Sequence, residues 1–133
     1  MRRSVLTQHL LRNETSLQNI VELFNGSPSI RQRILVIVLA VAIAPIAEEF
    51  VFRFFIYGVL KRYCGFFLAL LLNALLFAAV HAHLPSFAPL IVLGGCLTLA
   101  YEWSGSILVS MSMHMLFNSL QLIVLAFPTV SGQ

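Results

Sequence analysis

Four long hydrophobic stretches follow one another along the chain, separated by short segments that carry Pro, Gly, Ser or charged residues. They run from about Ile34 to Leu60, from Gly65 to His81, from Phe87 to Trp103 and from Ile107 to Phe127. As a helix, the first would be ~40 Å long at ~1.5 Å per residue, enough to cross a ~30 Å hydrocarbon core with tilt. The pattern therefore predicts an all-α polytopic membrane protein with about four transmembrane helices.

The segment before the first stretch mixes polar and apolar residues. Between residues 4 and 24 the apolar positions fall near a helical stripe, which predicts one or two amphipathic helices at the membrane surface. Gly26 then indicates a helix end, and Ser27-Pro28 the cap and first turn of the next helix. We expect three parts: an N-terminal amphipathic segment at residues 1–29, a membrane domain at residues 30–127 and a C-terminal tail at residues 128–133.

The composition separates this chain from soluble proteins. Hydrophobic residues make up 59% of it and charged residues only 10%, whereas soluble domains carry roughly 25% charge. Cys64 and Cys96 lack CxxC spacing, so neither a disulfide framework nor a zinc knuckle is predicted. The chain is expected to have the lipid bilayer as a partner, and not nucleic acid.

Basic residues concentrate near the N-terminus. Five of the eight lie in the first 33 positions, namely Arg2, Arg3, Arg12, Arg31 and Arg33. Four spans put both termini on one side, and the positive-inside rule places that side in the cytoplasm. Lys61 and Arg62 lie on the other side and argue against this orientation. On balance we predict a multi-pass protein of the cell inner membrane with cytoplasmic termini.

Three charged residues, Glu48, Glu49 and Arg53, lie inside the first predicted span. A charge near the bilayer centre costs at least ~2.5–3.5 kcal/mol on insertion scales, so such residues indicate a functional site. Glu49 and Arg53 are four residues apart and can pair on one helix face. This pairing leaves Glu48 to face a cavity as a general base. Pro45, three residues earlier, would free a backbone carbonyl nearby.

Polar residues in the other spans could meet this acidic pair. His81 ends the second span, and His114 and Asn118 share one face of the fourth because they are four residues apart. The imidazoles could share a water with Glu48 or, together with Asn118, donate hydrogen bonds to a developing oxyanion. A histidine inside a span more often makes a helix-to-helix hydrogen bond, so that interpretation stays open for each one alone.

Other residues in the spans have simpler interpretations. Asn73 is expected to link two helices by a hydrogen bond, and Gly94-Gly95 to permit a close contact between helices. Glu102 and Trp103 indicate an interfacial turn with an aromatic anchor.

Three short motifs occur in order on separate spans: Glu48-Glu49-x-x-x-Arg53, Phe77-x-x-x-His81 and His114-x-x-x-Asn118. They resemble the motifs of the CPBP intramembrane proteases, a family that includes the type II CAAX prenyl endopeptidases and bacteriocin-processing or immunity relatives. The turn at residues 101–106 resembles the approach to the last motif helix of that family. The resemblance covers roughly residues 34–125.

The resemblance implies an all-helical membrane endopeptidase whose substrate is a membrane-associated, lipidated or leader peptide. It implies Glu48 as the general base assisted by His81, His114 with Asn118 as the oxyanion hole, and Glu49 with Arg53 as the pair that holds the site together. No cofactor is expected. A divalent metal is disfavoured because Asn is a poor zinc ligand and no Cys joins the cluster. If a metal bound, Glu48, His81 and His114 would hold it.

One departure from the family pattern concerns the start of the chain. Family members usually carry further spans before the Glu-Glu helix, and here a short amphipathic segment precedes it. The chain is then expected to be a minimal member, a fragment, or a protein that completes its cavity as a homo-oligomer. Two other classes of function compete with the protease. One is a non-catalytic membrane binding or immunity-like protein with the same fold, and the other a proton or ion conductor that uses Glu48 and the histidines as a relay.

Overall fold

The structure is a computed structural model that describes Gly26 and residues 29–126. These residues are helical apart from short connections, and no strand occurs among them. The fold is therefore all-α, as the hydrophobic pattern predicts. The predicted amphipathic segment, except for Gly26 and Ser29, and the predicted C-terminal tail lie outside the described residues.

Five α-helices, two π-helical segments and one 3₁₀ turn form the described chain. The α-helices are α1 (Ile30–Val38), α2 (Ala44–Glu49), α3 (Gly58–Val80), α4 (Phe87–Ser104) and α5 (Ile107–Ala126). The π-helical segments are Leu39–Ile43, between α1 and α2, and Phe50–Tyr57, between α2 and α3, and the 3₁₀ turn is Leu84–Ser86.

The first helical stretch, Ile30–Val80, contains two spans rather than one. It is 51 residues long and is broken inside α3 at Gly65, which has φ 72° and ψ 178°. Glycine adopts a positive φ readily because it has no Cβ. The ring of Phe52 lies 5.2 Å from that of Phe77, so the chain reverses direction between them. We call residues 30–64 the first span and residues 66–80 the second.

α4 and α5 are the third and fourth spans. Each belongs to a helical stretch that is long and apolar enough to cross a membrane, Leu84–Ser104 and Ile107–Val124. Three helical stretches among the described residues are thus long and apolar enough to cross a membrane, and the break at Gly65 divides the first into the two arms that the sequence predicts as separate spans. Gly105, with φ 65°, ends α4 and opens the tight turn into α5.

The N-cap of α1 lies two residues later than the sequence suggests. Ser29, not Ser27, is the N-cap of α1: its hydroxyl accepts a hydrogen bond from the backbone N–H of Gln32, and the Gln32 side chain accepts one from the backbone N–H of Ser29. This capping box satisfies two backbone donors at the helix start. Ser27 and Pro28 themselves lie outside the described residues.

Burial is inverted relative to a soluble protein. Large apolar side chains cover the exterior, including Phe54, Phe55, Phe67, Leu71, Leu116 and Leu120. Several of the most buried side chains are polar or charged: Glu49, Arg53, Asn73, Thr98, Ser110 and His114. An apolar exterior suits lipid, and buried polar groups in a membrane bundle link helices or mark functional sites. The interior of the bundle is therefore where the site must be sought.

Gly94 brings the third span against the second. A Cβ added there would lie 3.1 Å from Cδ1 of Phe77 and 3.3 Å from the backbone Cα of Ala74. At Gly95 a Cβ would meet nothing within 4 Å. The close contact predicted for the Gly94-Gly95 pair thus belongs to Gly94 alone.

Substitution of the two glycines should therefore have different effects. Gly94→Ala is expected to lower the free energy of unfolding by ~1–3 kcal/mol, because the added methyl overpacks Phe77 and the Ala74 backbone. Gly95→Ala is the matched control and should leave stability unchanged or slightly raised. Unfolding of both variants in mixed detergent micelles measures this, and equal destabilisation would contradict the assigned contact.

Candidate active site

Glu48 and Glu49 lie side by side at the end of α2 but in different surroundings. Successive helical residues point about 100° apart, so the two carboxylates leave the helix in different directions. The Glu49 side chain is fully buried, whereas that of Glu48 is 31% exposed. The sequence predicts this division, in which one carboxylate is paired inside the bundle and the other faces a cavity.

Glu49 is held by two partners on two spans. Its Oε1 lies 3.1 Å from Nη1 of Arg53, one helical turn away, and 2.8 Å from Nδ1 of His114 on the fourth span. Both partner side chains are almost completely buried. A buried carboxylate is tolerable only when it is paired and hydrogen-bonded. These contacts meet that condition at Oε1, whereas Oε2 is buried and has no hydrogen-bond partner in the described part of the chain.

Arg53 links the acidic pair to the second and third spans. Its Nη2 donates a hydrogen bond to the backbone carbonyl of Gly94, at 3.2 Å. Its guanidinium carbon lies 4.7 Å from the ring centroid of Phe77, within cation–π range. Arg53 thus contacts a carboxylate, a carbonyl and an aromatic face at once, which accommodates its charge inside the bundle.

Glu48 faces the two histidines. Its Oε2 lies 3.8 Å from Nε2 of His81 and 3.7 Å from Nε2 of His114. These distances exceed those of a direct hydrogen bond but suit a bridging water. Oε2 is itself buried and has no hydrogen-bond partner among the described residues. The three groups therefore frame a small polar space.

The backbone and Glu49 orient both imidazoles toward that space. Nδ1 of His81 lies 2.7 Å from the carbonyl oxygen of Phe77, and Nδ1 of His114 lies 2.8 Å from Oε1 of Glu49. Both partners are acceptors, so the Nδ1 atoms carry hydrogen and donate. This assignment follows from the partners, since hydrogen positions are inferred. Each Nε2 is then directed at Glu48.

Phe77 packs at the centre of the cluster. It is fully buried, and its ring centroid lies 4.8 Å from that of His81 and 5.7 Å from that of His114. The second motif, Phe77-x-x-x-His81, therefore has a geometric basis. Residues four apart share one helix face, so the phenylalanine supports the histidine one turn later and the histidine of the fourth span as well.

Asn118 lies one turn beyond His114 and reaches the first span. Its Nδ2 donates to the carbonyl oxygen of Ala40 at 3.1 Å. Ala40 belongs to the π-helical segment Leu39–Ile43, at the end of which the N–H of Ala44 donates to the carbonyl of Leu39. The next residue, Pro45, has no N–H that could donate to the carbonyl of Ala40. The carbonyl that Pro45 is predicted to leave without a backbone donor is thus that of Ala40. One of the two amide N–H groups of Asn118 donates to it.

Four of the six predicted site residues line one cavity. Its volume is about 360 Å³, and its walls include Glu48, His81, His114 and Asn118. Glu49 and Arg53 lie behind the wall, where they contact His114 and the third span. Apolar or small side chains form most of the remaining lining, including Ala40, Ala44, Phe77, Val80, Leu90, Leu93 and Phe117. Gln121 also lines the cavity and was not predicted.

The donor set was also compared with the requirements of a metal ion. Among the described residues, no group of three or more His, Cys, Asp or Glu side chains is placed to hold one. The best donors are Glu48, His81 and His114. Oε2 of Glu48 lies 3.8 Å from Nε2 of His81 and 3.7 Å from Nε2 of His114. Neither Cys64 nor Cys96 lines the cavity. The expectation of a cofactor-free site stays a prediction.

Thr98 takes part in contacts that the sequence did not suggest. Thr98 donates from its hydroxyl to the Gly94 carbonyl and accepts from Asn73, so the expected helix-linking role of Asn73 is confirmed and its partner identified. Thr98 lies four residues after Gly94, within the apolar part of α4, and this spacing could have indicated the contact.

Glu102 is not part of a turn, contrary to the sequence interpretation. It belongs to α4, accepts a hydrogen bond from the Tyr57 hydroxyl at 2.8 Å and forms an ion pair with Lys61. These contacts tie the third span to the end of the first, at a distance from the cavity lining.

Comparison with known proteins bears on the same residues. A family model described as "Type II CAAX prenyl endopeptidase Rce1-like" matches residues 30–120, which contain all three motifs. A protein of Bacillus subtilis (strain 168) named "Putative membrane peptidase YdiL" is 27% identical over 113 residues. The alignment covers 85% of this chain but 44% of that protein, so the chain spans less than half the length of this relative. No solved structure gives a significant match.

Proposed function

Because this chain belongs to the Rce1-like family of type II CAAX prenyl endopeptidases, we propose that it is an intramembrane endopeptidase in which Glu48 activates the attacking water. One observation carries the proposal. Oε2 of Glu48 is buried at the cavity wall, lacks a hydrogen-bond partner among the described residues, and lies 3.7–3.8 Å from two imidazole nitrogens. That spacing suits a water held between the carboxylate and His81.

The first step is attack on the peptide carbonyl. Glu48 acts as general base and removes a proton from the water. Nδ1–H of neutral His81 donates to the Phe77 carbonyl, so its Nε2 can accept a hydrogen bond from the second hydrogen of the water. The water oxygen forms a bond to the carbonyl carbon, and the carbonyl π electrons move to its oxygen. The product of this step is a tetrahedral oxyanion and a protonated Glu48.

The oxyanion is stabilised by donors from the fourth span. Asn118 has a second amide N–H beyond the one used on Ala40. His114 in its imidazolium form donates from Nε2, because its Nδ1 proton is directed at Glu49. A donor aimed at a developing oxyanion in a site with little water is worth roughly 2.7–4 kcal/mol of barrier. The two donors lie on one helix face, which fixes their relative positions.

The second step breaks the bond. The oxyanion collapses, the C–N bond cleaves, and Glu48 returns its proton to the leaving amine nitrogen. Glu48 is then ready for another cycle once the products leave. Glu49 and Arg53 take no part in proton transfer in this scheme. They hold His114 through the contact between its Nδ1 and Oε1 of Glu49.

The cavity is suited to an apolar peptide segment. Most of its lining is aliphatic or aromatic, and no Lys or Arg side chain is among the described residues that line it. A membrane-associated, lipidated or leader peptide fits such walls. Because the spans alternate in direction, the His81 connection lies on the same side as the start of the first span. We place that side in the cytoplasm from the positive charge of the N-terminal segment.

The experiment that tests the function uses purified protein in detergent micelles and a library of quenched peptides rich in apolar residues. Mass spectrometry identifies the products. The proposal expects internal cleavage that yields a free carboxylate and a free amine. If no peptide gives a product and liposomes that contain the protein show proton flux, the result would contradict the protease and favour the proton conductor.

The reaction is proposed to need no metal ion. The oxyanion donors described above supply charge stabilisation that a metal would otherwise provide. Incubation with EDTA or 1,10-phenanthroline is therefore expected to change kcat/KM by less than twofold. A loss of more than tenfold that added zinc restores would assign Glu48, His81 and His114 as metal ligands instead. A zinc endopeptidase treated in parallel is the control that the chelator is effective.

A further inference from the structure

Two fully buried polar residues lie behind the cavity without a role in the proposed reaction. Asn73 is on the second span and Thr98 on the third, and both have no solvent-exposed surface. Neither lines the cavity. Their location in the interior of a membrane bundle, where burial of polar groups is costly, calls for a specific explanation.

These residues begin a continuous chain of polar contacts. Nδ2 of Asn73 donates to Oγ1 of Thr98 at 2.9 Å, and that hydroxyl donates to the Gly94 carbonyl at 2.7 Å. Nη2 of Arg53 donates to the same carbonyl at 3.2 Å. From Arg53 the chain continues to Glu49 at 3.1 Å and from there to His114 at 2.8 Å. All four spans are joined in this way, and the series ends at the candidate site.

The directions of the hydrogen bonds are determined by the chemistry of the groups. The amide N–H of Asn73 can only donate, so the Thr98 hydroxyl must accept it and direct its own proton elsewhere. That proton has the Gly94 carbonyl as its acceptor. Hydrogen bonds in such a series polarise one another and limit the freedom of each member. The acceptor offered to Arg53 is therefore fixed in place.

Packing alone does not account for these two side chains. Oδ1 of Asn73 has no hydrogen-bond partner in the described part of the chain, so the residue uses its amide nitrogen and leaves a buried acceptor unsatisfied. A valine and a leucine would fill the same space without that desolvation cost. The polar pair is informative because it ends on the Gly94 carbonyl, to which Arg53 also donates.

We propose that Thr98 and Asn73 are positioning residues for peptide hydrolysis. They hold the Gly94 carbonyl, which holds Arg53, so that Glu49 keeps His114 in the orientation that oxyanion stabilisation requires. The inference rests on the proposed function and extends it to the second and third spans. Neither residue touches the cavity, so each acts through Arg53 and not on the substrate.

The test compares three variants in the peptide assay. Thr98→Val removes the hydroxyl at nearly constant volume, Thr98→Ser restores it, and Ser110→Ala is the matched control. Ser110 is also fully buried and donates to a carbonyl of its own helix, that of Ile107 at 3.0 Å, whereas Arg53 donates to the Gly94 carbonyl. Thr98→Val is expected to lower kcat about tenfold to a hundredfold with KM unchanged, because small misplacements have effects of that size. Thr98→Ser and Ser110→Ala should stay near wild type.

Several outcomes would overturn the inference while the proposed function stands. These are a kcat for Thr98→Val equal to that of Ser110→Ala, a rise in KM with kcat unchanged, or no recovery with serine. If Thr98→Val does not fold, Asn73→Ala takes its place. A reduced kcat with normal KM supports the inference, and an unchanged kcat overturns it.

A different result marks failure of the proposed function itself. If the wild-type protein cleaves no peptide, the network is tested by unfolding Thr98→Val, Arg53→Lys and the double variant in mixed micelles. A network predicts that the two changes in unfolding free energy are not additive, whereas additive effects would overturn the coupling of Thr98 to Arg53.

Discussion

Replacement of Glu48 by glutamine is expected to reduce kcat/KM for peptide hydrolysis about a thousandfold or more. Glutamine has nearly the same shape but cannot accept a proton from water, and a general base contributes roughly 10²–10⁴-fold. Glutamine also cannot return a proton to the leaving amine. The first proposed step therefore lacks its general base, and the second lacks its general acid. Because the Glu48 side chain is partly exposed to the cavity, the variant should fold and unfold like the wild type.

Glu102→Gln is the control for loss of a carboxylate elsewhere in the bundle. Glu102 contacts Tyr57 and Lys61 and does not line the cavity, so this variant should keep its activity. Wild-type activity in Glu48→Gln would remove the general-base role. It would favour a non-catalytic binding or immunity-like protein, since such a protein depends on its surfaces rather than on this carboxylate.

Replacement of Arg53 by methionine is expected to have the largest effect on stability. Arg53 and Glu49 are both fully buried and paired. Removal of one partner of a buried ion pair leaves the other charge uncompensated and typically destabilises by ~3–5 kcal/mol. Loss of the Gly94 contact and of the Phe77 ring contact adds to this effect. Unfolding by SDS in mixed micelles measures the change.

The double variant Glu49→Gln/Arg53→Met shows whether an unpaired charge is the cause. It removes both charges, so it should be more stable than Arg53→Met alone even though it carries more changes. A double variant as unstable as the sum of the single variants would show instead that packing around Arg53 dominates. Neither variant is expected to hydrolyse peptides, because the contact of Glu49 with Nδ1 of His114 is altered in both. Arg53→Met removes the cation that holds Glu49, and the double variant removes the Glu49 carboxylate as well.

Much of the site was predictable from spacing alone. The fold follows from four hydrophobic stretches with turn residues between them, and the contact between Glu49 and Arg53 follows from the four-residue spacing on one helix. The same rule predicted that His114 and Asn118 share a face. Each of these predictions uses local geometry, in which the backbone of one helix determines the distance between side chains.

The contacts between spans were not predictable in the same way. The hydrogen bond of Arg53 to the Gly94 carbonyl depends on how deeply the third span packs, which the absence of a side chain at Gly94 permits. The partner of Asn118 depends on the π-helical turn before Pro45, which shifts the free carbonyl to Ala40. Glu102 lies within α4 and contacts Tyr57 and Lys61 of the first span. Such features arise from tertiary packing, which sequence spacing does not encode.

Water activated by Glu48 is proposed to hydrolyse a peptide bond in this cavity. The most direct test is mass spectrometry of peptide products formed in ¹⁸O-labelled water by the purified wild type and by Glu48→Gln. We predict that the wild type yields a product with one ¹⁸O in its new carboxylate and that the glutamine variant yields none above the buffer blank. Labelled product formed by the variant at the wild-type rate would contradict the account.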